Sequence, residues 1–266
     1  MGRVTGLSLF PIKGVHRIEV NAADVEARGL KGDRRWLIVD SDMNFLSQRE
    51  MPELAMVNAQ LLDRGISISF RGSEAIEVET PRGECDRTVK VWNDECSAIS
   101  AGDAAGSWLS DWLGRECHLV YMPENSMRQV HPDYALNNDI VSFADGFPLL
   151  LASDDSLNDL NGRLETPIPI HRFRPNVVVG GFGAYEEDEW KTIRIGEVLF
   201  GVVKKCLRCK VTTTDQETGV RESNEPLKTL ASYRLDGSHV AFGQNLIPMS
   251  LGTIEVGELV EIVERA

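Results

Sequence analysis

The strongest constraint on this chain is how often its apolar runs are interrupted. From Val4 onward, short stretches of alternating or β-branched residues are cut by Gly, Pro, Asp and Asn at intervals of about 8–12 residues. The stretches are residues 4–10, 17–25, 36–40, 55–62, 66–70, 75–79 and 87–92. Residues 118–121, 173–180, 190–196 and 198–203 continue the pattern in the second half, and 254–263 reads as a closing strand pair around Gly257. Runs this short cannot hold long helices. They predict a mainly β chain with a few helices (α+β), built as barrels or sandwiches and not as alternating βαβ units.

Helical spacing breaks through in three places. Ala105, Trp108, Leu109, Trp112 and Leu113 recur at i, i+3 and i+4, with Gly114 placed to cap the C-terminus. Ser153 is a candidate N-cap for a helix running to Leu164, and a short helix is expected over 227–233 after Pro226. Residues 123–138 form a polar stretch with two prolines, Pro123 and Pro132. Loops of that length are often functional. Here it also suggests a division into domains of residues 1–120 and 121–266.

Composition narrows the partners. Against 28 Lys and Arg stand 41 Asp and Glu, a net charge of -13. Such a chain repels nucleic acid and anionic membranes. The 5 Cys form no disulfide-dense pattern, no window approaches the ~20 apolar residues of a membrane span, and the N-terminus lacks a signal-peptide core. A cytoplasmic protein is expected.

Cations gather locally against this acidic background. Cys206 and Cys209 sit among Lys204, Lys205, Arg208 and Lys210, followed by three threonines and Asp215. Nearby cations favour a thiolate, the form that binds metals or attacks. Spacing alone leaves several readings open: half a zinc site, a redox pair, or two half-buried cysteines at a strand end. No second Cys-x-x-Cys exists to complete a zinc site, and Val211 to Thr214 look like a strand where a thioredoxin-like pair needs a helix. Lys13, Arg34 and Arg174 lie at strand boundaries, where side chains can converge on one pocket, and Arg suits phosphate. Asp33 is a candidate catalytic carboxylate, whereas Asp215 reads as a turn residue. Gly243 would let backbone approach closely beside Asn245. No Walker loop, GxSxG or GxGxxG is present.

Taken together, the segments Phe10-Pro11-Ile12-Lys13-Gly14, Gly32-Asp33-Arg34-Arg35-Trp36-Leu37, Phe173-Arg174-Pro175-Asn176, Cys206-Leu207-Arg208-Cys209 with Thr212 to Asp215, Glu225-Pro226-Leu227 and Phe242-Gly243-Gln244-Asn245 resemble the MOSC family. The likeness is to its two-domain branch, which includes the mitochondrial amidoxime-reducing component and bacterial relatives. It implies a MOSC N-terminal β-barrel domain followed by a MOSC β-barrel domain. It implies a molybdenum-molybdopterin cofactor with the metal on Cys209, which is also the catalytic residue. Lys13, Arg34, Ser153, Arg174, Asn176, Arg208 and Asn245 match positions that hold the pterin or its phosphate. A soft thiolate suits molybdenum. The implied activity is reduction of small N-hydroxylated compounds. No plant-type Cys-x4-Cys-x2-Cys run is present, so electrons are expected from a separate donor protein. The polar loop, with Arg128 and His131, would border the substrate opening. The alternative within the same resemblance is a carrier that delivers sulfur through Cys209 as a persulfide.

Overall fold

In the computed structural model, which describes residues 2–266, strand outweighs helix by 42% to 15%. Seven strands close into a barrel. Their order is Leu149–Ser153, Val177–Gly180, Gly2–Leu9, Leu259–Arg265, Trp190–Ile195, Val198–Arg208 and His239–Pro248. The last returns to the first through the pairs Leu149↔Leu246 and Leu151↔Gln244. All neighbours run antiparallel except Leu149–Ser153 and Val177–Gly180. A parallel pair needs a crossover, and the helix Asp154–Asn161 supplies it. Inward side chains such as Val179, Ile193, Phe200 and Leu246 fill the barrel and are fully buried. Along Gly2–Leu9 a bulge between Val4 and Gly6 resets the alternation, so that Val4, Leu7 and Leu9 all point inward.

A second body is built from the sheet Trp36–Val39, His118–Tyr121, Asp94–Ser100, Arg87–Val91 and the sheet Val57–Leu62, Gly65–Phe70, Ile76–Glu79. The helix Asp103–Leu113 packs on it through Ala105, Leu109 and Leu113, and Gly114 caps that helix in the left-handed conformation as expected. Two apolar clusters hold this body together, one around Leu54, Ile66, Ile68 and Leu109, the other around Leu37, Val89 and Val120.

The expected division after residue 120 is crossed in both directions. Strand Gly2–Leu9 is a stave of the second-half barrel, and Ala22–Glu26 pairs with Gly252–Glu255. Phe143 in turn packs in the first-half cluster with Leu37 and Val39.

Two local expectations need correction, and one strand was missed. Val211 to Thr214 do not form a strand; residues Lys210–Thr213 make a 3-10 turn, stabilised by Thr212 and Thr213 hydroxyls donating to the carbonyls three residues back. The segments either side of Gly257 do not pair with each other, because each finds a partner from the N-terminal 30 residues. Strand Asp94–Ser100 was not anticipated, since its polar residues Asp94, Glu95 and Ser97 obscure the buried Cys96, Ala98 and Ile99. Among the described residues no helix is long and apolar enough to cross a membrane.

Candidate functional site

A cleft of about 310 Å³ opens where the end of strand Val198–Arg208 faces the loops at Lys13, Arg34 and 45–49. Its size is that of a small-ligand site. Seven Lys or Arg residues line it against one carboxylate, Asp145, in a chain whose net charge is -13.

The strand that carries the cysteines is irregular for an identifiable reason. An extra residue at Val203 and another at Gly243 on the facing strand interrupt the register. Such bulges re-aim side chains. Gly243 has φ +79, and a Cβ there would lie 2.5 Å from the Leu151 carbonyl oxygen; the close approach expected from the sequence is present. The four cations around the cysteines disperse. Lys204 Nζ sits 4.2 Å from the centre of the Tyr134 ring, Lys205 pairs with Asp188 at 3.3 Å, and Lys210 is exposed. Only Arg208 meets a sulfur, its Nη1 donating to Cys206 Sγ at 2.7 Å. Burial pushes the Cys206 thiol up despite that guanidinium, so the cation-favoured thiolate expected for the pair does not hold at Cys206. Cys209 is half-buried at the start of the 3-10 turn and lines the cleft.

Arg34 and Arg174 both adopt left-handed backbone conformations, with φ of 50 and 58, which is uncommon for a non-glycine residue; Arg174 does so as the cap of the 3-10 turn Ile170–Phe173. Their guanidinium carbons lie 4.5 and 4.3 Å from the centre of the Phe10 ring. Arg34 is held by the Asp33 carboxylate and donates to Asn176 Oδ1 at 3.0 Å. Arg174 Nη1 donates to Gln216 Oε1 at 3.0 Å, but its Nη2 is buried without a partner. Burial, and then the Arg34 charge, pull the Arg174 guanidinium down to about 9, so it remains a cation at neutral pH. Arg208 Nη2 donates to the Phe173 carbonyl at 2.5 Å, while its Nε is also buried and unpartnered. Buried polar groups are nearly always satisfied. Two unsatisfied guanidinium nitrogens on cleft-lining residues therefore mark a place built for an anion.

Asp145 was not foreseen. It accepts from Lys13 Nζ, and from Trp92 Nε1 at 3.2 Å. The Lys13 side chain is only 8% exposed, whereas that of Asp145 is 75% exposed and open to the cleft. The protein around Asp145 acts to raise its pKa, but the Lys13 ammonium and Arg34 override this and hold the carboxyl far below its ordinary value. Burial lowers the Lys13 pKa, with Asp145 opposing. The only local signal was an Asp-Gly turn at 145–146, which does not reveal a partner 132 residues away.

Of the eight site residues expected from the sequence, Lys13, Arg34, Arg174, Asn176, Arg208, Cys209 and Asn245 come together in the cleft. Ser153 does not. It is fully buried, and its Oγ caps the helix Asp154–Asn161 by accepting from Asp155 N and Ser156 N. Asn176 is committed to structure as well: Oδ1 accepts from Leu150 N at 3.2 Å and Nδ2 donates to the Ser8 carbonyl at 3.1 Å. Asn245 Nδ2 donates to the Lys204 carbonyl at 3.2 Å across the strand pair. Asp33 is buried with both oxygens occupied, one by Phe10 N and one by Arg34, so it positions and does not react. Asp215 accepts from Glu217 N and Thr218 N, the turn role expected of it. Arg128 is buried. Its guanidinium donates to Asp94 and to the Ser142, Ala144 and Asp145 carbonyls, fixing the loop that carries Asp145. His131 lines a neighbouring groove, not this cleft.

Comparison with known proteins points the same way. Residues 1–116 match the family described as "MOSC N-terminal beta barrel domain", and residues 138–261 match "MOSC domain". The chain is 33% identical to mitochondrial amidoxime-reducing component 1 of Mus musculus, an alignment covering 99% of this chain and 83% of that protein. It is 31% identical to the Homo sapiens protein of the same name, with the same coverage. The Danio rerio counterpart is 33% identical over 97% of this chain and 84% of that protein.

Proposed function

The chain belongs to the two-domain MOSC family that contains the mitochondrial amidoxime-reducing components, and from that premise we propose that it binds a molybdenum-pterin cofactor in this cleft and reduces N-hydroxylated compounds with electrons from a separate protein.

One observation carries the reading: cationic guanidinium nitrogens, buried and unpartnered on Arg174 and Arg208, share a cleft with a half-buried cysteine sulfur. The donor set fits the group. An anionic phosphate-bearing pterin meets forked donors, and molybdenum meets a soft ligand. No cluster of three or more His, Cys, Asp or Glu among the described residues could hold a metal alone. By the family resemblance Cys209, which lines the cleft, would be the protein's ligand, with the remaining coordination coming from the cofactor.

When bound, the cofactor would supply two-electron oxygen-atom chemistry; the protein supplies its orientation and electrostatics. Arg174, Arg208 and Lys13 provide positive charge for the anionic end. Asp33 and Asn176 hold the Arg34 guanidinium in place, so that its charge is preorganised. Asp145 stays a carboxylate at neutral pH, and the proton between it and Lys13 rests on Nζ. Phe10, itself buried, packs against the guanidiniums of both Arg34 and Arg174.

The test is the molybdenum and pterin content of protein made in a host that synthesises the cofactor, beside Cys209→Ser. The expected outcome is about one molybdenum per chain, lost in the variant, and turnover only with an added electron donor. No molybdenum in the unmodified protein would sink the proposal and favour sulfur transfer through Cys209, read by persulfide labelling.

A further inference from the structure

At the cleft two buried amides clasp each other across 168 residues of sequence. Gln48 and Gln216 are 1% and 3% exposed. Gln48 Nε2 donates to Gln216 Oε1 at 3.0 Å, and Gln216 Nε2 donates to Gln48 Oε1 at 2.9 Å. Each amide is also tied to its own half of the chain. Gln48 Nε2 donates to the Gly14 carbonyl at 2.8 Å, next to Lys13, and Gln216 Nε2 donates to the Thr214 carbonyl at 3.2 Å. Arg221 reinforces the junction. Its Nε donates to Thr214 Oγ1 at 2.9 Å, its Nη1 to the Arg49 carbonyl at 3.1 Å, and its Nη2 to the Gln48 carbonyl.

The pair ends on Arg174, whose Nη1 donates to Gln216 Oε1 at 3.0 Å. That oxygen therefore accepts two bonds while the amide nitrogen gives two, so the side chain has one way round. Reversed, it would turn an NH2 toward the guanidinium and an oxygen toward the Thr214 carbonyl. Gln48 and Arg174 line the cleft, and Gln216 stands behind them. The acceptor it offers is neutral. Neighbouring cations are held by carboxylates: Arg34 by Asp33, Lys13 by Asp145 and Arg172 by Asp215. Arg174 has no ion-pair partner among the described residues, and its Nη2 is buried without a bond. An amide orients a guanidinium and leaves its charge intact, whereas a carboxylate in the same place would cancel it.

We propose that Gln216 is a positioning residue that fixes the Arg174 guanidinium for an anion without neutralising it, and that Gln48, reaching across from the first half of the chain, locks the Gln216 amide in that orientation. The anion site is then a joint product of both halves. The loop that carries Gln48 forms one wall of the cleft and also sets the geometry of an arginine on the other. The inference rests on the cofactor reading for the identity of the anion, and on the hydrogen bonds alone for the role of the two amides.

Phosphate binding tests this without turnover. Inorganic phosphate is titrated calorimetrically into the full chain made in a host that lacks the cofactor, and the unmodified protein is expected to bind it. Gln216→Met keeps the side-chain length but removes the acceptor, and should weaken phosphate about tenfold, the scale of a hydrogen bond to a charged group. Gln216→Glu keeps an oxygen for Arg174 but adds a charge, and should weaken phosphate about a hundredfold or more, because the carboxylate takes the Arg174 charge and repels the anion. A purely structural bond predicts the opposite order, with Glu the better replacement. The double variant Gln48→Leu with Gln216→Met guards against misfolding, because replacing both partners by apolar groups relieves the donor and acceptor left unpaired. It should melt closer to the parent than Gln216→Met does and still bind phosphate about tenfold more weakly, for the same lost hydrogen bond. Four results would each overturn the proposal: affinity that returns with stability, phosphate binding unchanged in Gln216→Met, Gln216→Glu binding as well as Gln216→Met or better, and an unmodified protein that binds no phosphate. Molybdenum content of the unmodified protein from a cofactor-synthesising host reads the cofactor assignment separately. The expected order of phosphate affinities without molybdenum would refute the cofactor and leave the positioning of Arg174 standing.

Discussion

Asn176→Ala is the substitution that most directly tests how the site is held. The residue is 1% exposed and its amide joins three parts of the chain: Arg34 Nη1 at 3.0 Å, Leu150 N at 3.2 Å and the Ser8 carbonyl at 3.1 Å. Alanine removes all three bonds at once. It leaves the Leu150 amide and the Ser8 carbonyl without their side-chain partner. An unsatisfied buried group costs about 1–3 kcal/mol. Two such groups, with the Arg34 bond lost as well, give a destabilisation of about 4 kcal/mol, before any relaxation. Urea unfolding followed by tryptophan fluorescence reads it, and at an m-value of about 2–3 kcal/mol/M the midpoint should fall by roughly 1.5–2 M. Asn176→Asp separates the contributions: it keeps the acceptor for Leu150 N and Arg34 but turns an oxygen toward the Ser8 carbonyl. A loss below about 1 kcal/mol in Asn176→Ala would refute the view that this residue is a structural pivot. It would leave a direct ligand contact as its role.

Two further outcomes follow from the geometry. Gly243→Ala should destabilise the protein by more than about 1–2 kcal/mol, the cost of a left-handed non-glycine residue, because its Cβ would also press on the Leu151 carbonyl oxygen; a thermal melt at the parental temperature would refute this. Glu187 is buried and bonded to the Ser156 hydroxyl at 2.8 Å, and burial pushes its carboxyl from 4.5 up to about 7. The folded state therefore binds this proton more tightly than the unfolded chain. The stabilisation is fully present below about pH 4.5 and declines as pH rises through about 7. Glu187→Gln should gain stability relative to the parent between pH 5 and pH 8, by at most about 3 kcal/mol, and a pH-independent difference in urea midpoint would contradict it.

Legibility differed sharply between residues. Arg34 and Arg174 could be picked out because each follows a strand or turn signal, and the cleft does gather them. Ser153 was correctly seen as an N-cap, yet the fold places that cap fully buried and outside the lining of the cleft. The cysteine segment was visible as a cluster of charges in one dimension. In the fold a bulged strand sends Lys204 to Tyr134, Lys205 to Asp188 and Arg208 to Cys206. Linear proximity of charge therefore overstated the field at the sulfur.

By itself the amino-acid sequence determined the local alphabet of this protein. The period-2 runs and their turn residues set most of the strands, Gly114 and Ser153 set helix ends, and the ordered set of short motifs placed the chain in its family. These features depend on neighbours within a few residues, so a linear reading reaches them. Only the tertiary structure decided that Gly2–Leu9 closes the second-half barrel, that Lys13 meets Asp145, and that Asn176 joins Ser8, Leu150 and Arg34. Each of those is a pairing across more than 100 residues, except Asn176 with Leu150. Barrel closure selects it because every strand edge must find a hydrogen-bonding partner and every buried charge a counter-charge, and no local propensity encodes which partner that is.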